Sequence, residues 1–289
     1  MAAQILDGRA AAAALRKEVA AGVDELLAST GVAPALVSVM AGQDAASRAY
    51  ARAIKRAAER AGLRFVAAIL PETTTDDGLR TRLRELSADP TVHGIIVQFP
   101  LPAPLSAAAV FDTLDSRKDV DGITPVSIGN LALGRPGFVP STPLGGLELL
   151  RRHGLSPRGL NATVVGRSPV VGKPLALLLL AENATVTVCH TGTRDLAAAC
   201  RQADLLCAAA GRIPGLIAGD MVKPGAIVLD FATIARPDGT LAGDVRFEEA
   251  REVASWISPV PGGTQPMTTA MLLRNTLEAA RRLTRPGGV

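Results

Sequence analysis

The stretch ATVVGRSPVVGKPLALLLLA, residues 162–181, decides the fold. A short β-compatible run leads straight into Gly166, a turn through Arg167, Ser168 and Pro169, and then Gly172 at the head of an apolar helix. Strand, glycine turn and helix in that order are what a dinucleotide site requires. Glycine lets the backbone bend sharply and approach a pyrophosphate, and the helix start offers free N–H groups and the positive end of its dipole. The spacing is not G-x-G-x-x-G, so the motif alone fits an ordinary strand-to-helix loop equally well.

Outward from this turn, the alternation continues. Strands are expected at 162–165, 184–189, 205–209 and 226–230, with helices at 173–182 and 193–202. Upstream, helices at 9–27, 44–61 and 74–86 alternate with strands at 34–41, 64–70 and 94–99. The acidic residues Asp76 and Asp77 favour a helix start there. Apolar strands separated by helices imply parallel sheets covered on both faces. A Gly/Pro-rich, weakly periodic stretch at 119–139 interrupts the pattern, followed by a helix at 143–153 and a long last helix at 267–283. The fold class read from this is α/β with two domains and a cleft between them. One is a smaller α/β substrate domain (1–119 plus 268–289), the other a Rossmann-type parallel-sheet domain for the cofactor (120–267).

The strand after the glycine turn sharpens the choice of cofactor. An NAD site usually carries an acid there for the ribose hydroxyls. This chain has Cys189, His190, Thr191, Gly192 and Thr193, with no acid before Asp195. Arg167 can pair with a 2′-phosphate, and Thr191 and Thr193 can donate to it, so NADP is expected. The bland alternative is a solvated Arg167 and a His190 that simply ends a strand.

Composition narrows the function classes. The 289 residues are 48% hydrophobic and 20% charged, enough for a sizeable soluble core. The net charge of +4 is mild and unclustered, which argues against a nucleic-acid partner. Cys189, Cys200 and Cys207 have no zinc spacing. No metal site is expected, and three thiols behind a start with no signal-like core point to the cytoplasm. The longest apolar stretch, 175–181, is too short to span a membrane.

Six stretches carry a family resemblance, one of them within the turn already described. VQFPLP (97–102), KDVDG (118–122), VVGRSPVVGKP (164–174), DMVKPGAIVLD (220–230), GDV (243–245) and SPVPGG with PMTTAMLLRNTLEAA (258–280) together resemble the methylenetetrahydrofolate dehydrogenase/cyclohydrolase family, the FolD type. The resemblance runs from Ile5 to about Ala280. It implies hydride transfer from methylenetetrahydrofolate to NADP, then opening of the methenyl cation by water to 10-formyltetrahydrofolate. It also implies a homodimer.

Residue by residue, the resemblance places Tyr50 on the folate, Gln98 in the active site and Asp121 on the pterin. Pro100, Pro261, Gly262, Gly263 and Thr268 join them as substrate contacts. Gly166, Arg167, Ser168, Gly172, His190, Thr191, Thr233 and Ile234 are the implied cofactor contacts. A carboxylate suits the pterin because it accepts two hydrogen bonds from an aminopyrimidine edge. Each residue also has an ordinary reading: Tyr50 as a core aromatic, Gln98 as a strand-end residue, Asp121 as part of a turn.

The family's active-site Lys, four residues after the Tyr, is Ile54 here, and Lys55 comes one place late. On a helix, position 54 lies about 40° from position 50, whereas 55 lies about 140° away. Ile54 is therefore expected on the Tyr50 face without any polar group. Other departures gather at the same site: Ile123 and Thr124 replace an aromatic–His pair, Ser141 a Cys, Gln265 a Gly, and Gly192 a basic residue. The expectation is a dehydrogenase with weak or absent cyclohydrolase activity. The alternatives are a fully bifunctional enzyme, a relative acting on another substrate, and a catalytically silent binding protein.

Overall fold

In the computed structural model, residues 2–42 and 44–285 are described, apart from the side chains of residues 45 and 46. The chain opens with β1 (Gln4–Ile5), α1 (Gly8–Thr30), β2 (Ala35–Ala41), α2 (Ala45–Arg60) and β3 (Arg64–Leu70). It continues through α3 (Asp76–Ala88), β4 (Gly94–Val97), α4 (Ala107–Phe111), α5 (Pro125–Ala132) and α6 (Ser141–Arg152). Then come β5 (Asn161–Val165), α7 (Gly172–Ala181), β6 (Thr185–Cys189), α8 (Leu196–Arg201), β7 (Leu205–Ala208) and β8 (Ile227–Asp230). A hairpin of β9 (Ile234–Ala235) and β10 (Leu241–Ala242), then α9 (Phe247–Arg251), β11 (Trp256–Ile257) and α10 (Thr264–Thr284), complete it.

Two sheets form. A parallel six-stranded sheet has the order β1-β11-β8-β7-β5-β6, and a parallel three-stranded one the order β3-β2-β4. The chain divides into two compact units: residues 2–13 with Thr142–Thr268, and Ala14–Ser141 with residues 269–285. Two α/β domains are as expected, but these boundaries differ from the sequence reading. The first residues belong with the six-stranded sheet, because β1 pairs with β11. Residues 120–141 belong with the three-stranded sheet, because Asn275 on α10 donates to the carbonyls of Val120 and Val139. Two-residue strands and long-range amide bonds leave no periodic signal in the sequence.

In the smaller sheet, β2 and β4 are buried throughout and pack with Leu79, Leu83 and Leu86 of α3. The edge strand β3 departs from the expected two-sided burial, since Val66 and Ile69 are exposed. The edge strand β6 of the larger sheet likewise exposes Val188. An apolar run cannot by itself reveal which strand lies at an edge. The larger core joins Val165, Leu206, Val228 and Ile257 from four strands to Cys200 of α8 and Ala250 of α9.

Local chemistry sets the helix ends. Asp44 accepts from Ser47 N at 2.7 Å ahead of α2. Thr75 accepts from Gly78 N, starting α3 two residues later than expected. Helix α10 starts three residues before the expected position, at Thr264. Pro266 falls in its first turn, where a missing N–H costs nothing.

Helix α5 lies in the stretch that reads as weakly periodic. Its cap is Thr124, and buried Asp119 accepts from Ile123 N, Thr124 N and the Ser127 hydroxyl. Lys118, also buried, donates to the carbonyls of Leu86 and Asp89. Most of KDVDG is therefore scaffold.

Candidate active site

The expected cofactor residues sit mainly at the carboxyl ends of β5, β6 and β7. Here the strand order places β6 on one side of β5 and β7 on the other. That reversal opens a crevice for a ligand. A cavity of about 470 Å³ occupies it. Its lining includes Gly166, Arg167 and Ser168 after β5, His190 and Thr191 after β6, and Ala209, Ala210, Arg212 and Ile213 after β7. Five of the expected cofactor residues are thus gathered in one wall. Leu196, Ile213 and Leu216 supply apolar surface to it.

The turn is built on close backbone approaches. Gly166 has φ +132°, and a Cβ there would lie 2.2 Å from the Ala209 carbonyl oxygen. A Cβ on Gly172 would lie 2.3 Å from the Gly166 oxygen. Gly172 shapes the turn from behind and is absent from the cavity lining. The expected free N–H groups at the helix start need correcting. Val171 N and Gly172 N donate to the Ser168 hydroxyl, and Lys173 N donates to the Ser168 carbonyl. Ser168 is therefore the cap of the turn.

His190 is fixed in a defined state. Its Nδ1 accepts from Gly192 N at 3.0 Å, which leaves the ring proton on Nε2, and its own N–H donates to Thr193. Arg167 and Arg212 are exposed, and neither has an acidic partner among the described residues. A glycine cradle, an apolar slot and two free guanidiniums fit a phosphorylated dinucleotide. Thr233 and Ile234 lie apart from this cavity lining, at the start of the β9–β10 hairpin. Two sequence-silent members appear instead, Arg212 and Ile213, placed there by the parallel alignment of β7 with β5.

Tyr50, Gln98, Pro100 and Asp121, among the expected folate residues, stand in the second unit. On α2, Ser47, Ala51, Ile54 and Ala58 form the buried stripe. Tyr50 is half-buried at its margin. Burial and the nearby charge of Asp121 push the Tyr50 phenol well above its usual range, against a hydrogen bond with Thr269. Ile54 is 0% exposed. Lys55 points to solvent and pairs with Glu59 at 3.7 Å.

Asp121 is pushed up to about 7, by burial first and then by the charge of Asp119, while hydrogen bonds from Ser141 oppose the shift. Ser141 is therefore the direct partner of the expected pterin ligand. Thr124, one of the departures from the family pattern, is buried in the α5 cap. Gln98 is buried at the end of β4 and donates through Nε2 to Ser38 of β2 at 3.1 Å. Pro100 is exposed just beyond it.

The remaining expected substrate contacts lie in the first unit. Pro261 is exposed, whereas Gly262 and Gly263 are buried in the turn that leads into α10. Thr268 shares a hydrogen bond with Thr142. Among the described residues, no three His, Cys, Asp or Glu side chains gather as metal ligands. No described helix is long and apolar enough to cross a membrane.

Two family models match the chain. Residues 6–121 match the catalytic domain of tetrahydrofolate dehydrogenase/cyclohydrolase, and residues 140–284 match its NAD(P)-binding domain. The chain belongs to the tetrahydrofolate dehydrogenase/cyclohydrolase family. It is 51% identical over 282 residues to the bifunctional protein FolD of Roseiflexus sp. (strain RS-1), covering 98% of each chain. The bifunctional FolD structure from Campylobacter jejuni superposes with a TM-score of 0.94 at 40% identity, covering 97% of this chain and 99% of that one. The Trypanosoma brucei enzyme, solved with NADP and an inhibitor, gives 0.94 at 37%, covering 99% and 100%.

Proposed function

We propose that the protein oxidises 5,10-methylenetetrahydrofolate to the methenyl compound with NADP, and contributes little to the hydrolytic step that follows. The observation that carries the proposal is the contrast on α2. Tyr50 and its neighbour Asp121 remain, while a fully buried Ile54 stands where the family has Lys.

The division follows from the chemistry of each step. The two folate nitrogens flanking the methylene carbon already stabilise the cation formed on oxidation, so the protein has mainly to align the reactants. NADP, when bound, would supply the acceptor for the hydride. Gly166 and Gly172 shape the pyrophosphate turn, His190 offers Nε2–H, and Arg167 with Thr191 is suited to a 2′-phosphate. Tyr50 offers a ring for stacking, and Asp121 offers two acceptors to the aminopyrimidine. Gln98, held by Ser38, orients a polar edge.

Hydrolysis asks for more. A proton must be moved as water attacks, and an aliphatic side chain can neither accept nor donate one. Lys55 does not supply the missing group, being exposed and paired with Glu59. The competing reading is a fully bifunctional enzyme, favoured by the bifunctional naming of the Roseiflexus relative.

One assay separates the two. Purified protein with methylenetetrahydrofolate and NADP is expected to give NADPH absorbance at 340 nm, while methenyltetrahydrofolate opens no faster than in buffer, or only slightly faster. Robust hydrolysis abolished by Lys55→Ala would establish the bifunctional reading. No turnover of the folate at all would leave a protein for another substrate, or a silent binder.

The protein is further read as a cytoplasmic homodimer. Three buried free thiols suit a reducing compartment. The exposed Val188 and Leu180, on edge strand β6 and adjacent helix α7, suit a partner surface. Light scattering at micromolar concentration is expected to give twice the chain mass, and a monomer would refute this.

A further inference from the structure

We infer that Asp244, which lies outside the cofactor cavity's lining, is a positioning residue for the dinucleotide, because its buried carboxylate holds the backbone of the cavity wall that faces the Gly166 turn. The inference rests on reading that cavity as the NADP site.

The chain leaves the β7 ladder just before this wall. Ala209 N still donates to Val165, but Ala210 N and Gly211 N have no strand to pair with. Asp244 accepts both, from Ala210 N at 2.7 Å and from Gly211 N at 2.9 Å. Its own backbone is anchored in turn, since Ile217 N donates to the Asp244 carbonyl at 2.8 Å and Arg246 N donates to Ile217. Asp244 is 0% exposed, and two consecutive amides satisfy its two oxygens, Ala210 N at Oδ2 and Gly211 N at Oδ1.

The consequence reaches the ligand through sterics. A Cβ on Gly166 would meet the Ala209 oxygen at 2.2 Å, so the turn and the wall are already in contact. Immediately after the clamped amides come Arg212 and Ile213, both in the cavity lining. A wall released from Asp244 would carry the guanidinium and the apolar slot away from the turn. Position 244 thus acts on the ligand only through residues 209–213.

The test uses Asp244→Asn in the full-length protein. The amide keeps the shape, but its NH2 faces one of the two N–H groups it must serve. Binding of NADP and of 2′,5′-ADP is measured by calorimetry well below the melting temperature, with a folate inhibitor as the control ligand. The expected result is a Kd for both nucleotides raised about tenfold to a hundredfold, the loss of a charge-assisted hydrogen bond. The control Kd is expected to stay unchanged, which a general loss of structure would not allow.

Wild-type protein that binds NADP together with a variant that binds it equally well overturns the inference alone. Wild-type protein that does not bind NADP overturns the reading of the cavity, and the inference with it. If the variant does not fold, amide exchange in the wild type decides. Slow exchange at Ala210 and Gly211 without nucleotide supports the inference, and protection appearing only with NADP overturns it.

Discussion

The cofactor turn and the α2 face store their information in different atoms. The turn is a backbone object: Gly166 and Gly172 are there because a Cβ would collide with a carbonyl oxygen. Its requirements are steric, and any sequence that meets them can form it. The α2 face is a side-chain object. Its helix is packed through the buried stripe of Ala51, Ile54 and Ala58, and what position 54 offers chemically is set by that one side chain. A backbone-built turn constrains which residues can stand in it, whereas a packed helix face leaves its chemistry to the identity of one side chain. Scaffolding and catalysis are not equally sensitive to a single residue.

Position 54 carries the largest expected effect. General acid–base help is typically worth 10²–10⁴-fold, so hydrolysis of methenyltetrahydrofolate is expected to fall by about that factor relative to a Lys-bearing relative. Ile54→Lys is expected to recover part of it and to lower thermal stability, since an ammonium group would replace a fully buried aliphatic side chain. A variant that regains nothing while keeping its dehydrogenase rate would show that the other departures also block the step.

Gly166→Ala tests the backbone side of the comparison. With φ at +132° and a carbonyl 2.2 Å away, the added methyl cannot be accommodated without moving the wall. Backbone strain costs on the order of 1–3 kcal/mol before any clash is counted, so NADP affinity is expected to drop about a hundredfold. Unchanged affinity would mean that the turn does not carry the pyrophosphate.

Arg167→Ala probes a side chain within the backbone-built site. NADP binding is expected to weaken about tenfold to a hundredfold, with NAD nearly unaffected, because only NADP carries the 2′-phosphate assigned to this guanidinium. Equal losses for both cofactors would remove Arg167 from the 2′-phosphate.

The smallest effect concerns pH. Burial and Asp119 push Asp121 up to about 7, so near neutrality it is only partly ionised. Its acceptors are complete above that value, and folate-inhibitor binding is expected to tighten severalfold from pH 6 to pH 8. Stability runs the other way. A raised carboxyl pKa means that the folded state binds more protons, so this group's contribution declines as pH rises from about 4 to about 7. Asp121→Asn is expected to flatten the binding profile and to raise the melting temperature more at pH 8 than at pH 4.5. A wild-type profile with no slope would show that Asp121 does not titrate in this range.

Much of this was legible in the sequence. The strands at 64–70 and 162–165, the glycine turn and the nearness of position 54 to Tyr50 on α2 all follow from short-range rules. Period, steric permissiveness and helical angle are properties of neighbouring residues. Arg212, Ile213 and the Ser141–Asp121 contact were not legible, since each depends on residues brought together from distant parts of the chain.

Residue type at fixed local spacing was enough for the α/β alternation, the glycine turn after β5 and the placement of an aliphatic Ile54 near Tyr50 on α2. Only the tertiary structure decided which strands lie at the edges, where the two units divide, that Lys55 faces solvent with Glu59, and that Asp244 holds the cofactor wall. The physical reason is that these depend on which groups reach hydrogen-bonding or van der Waals distance after folding, as when a carboxylate at 244 meets amides more than thirty residues earlier in the chain.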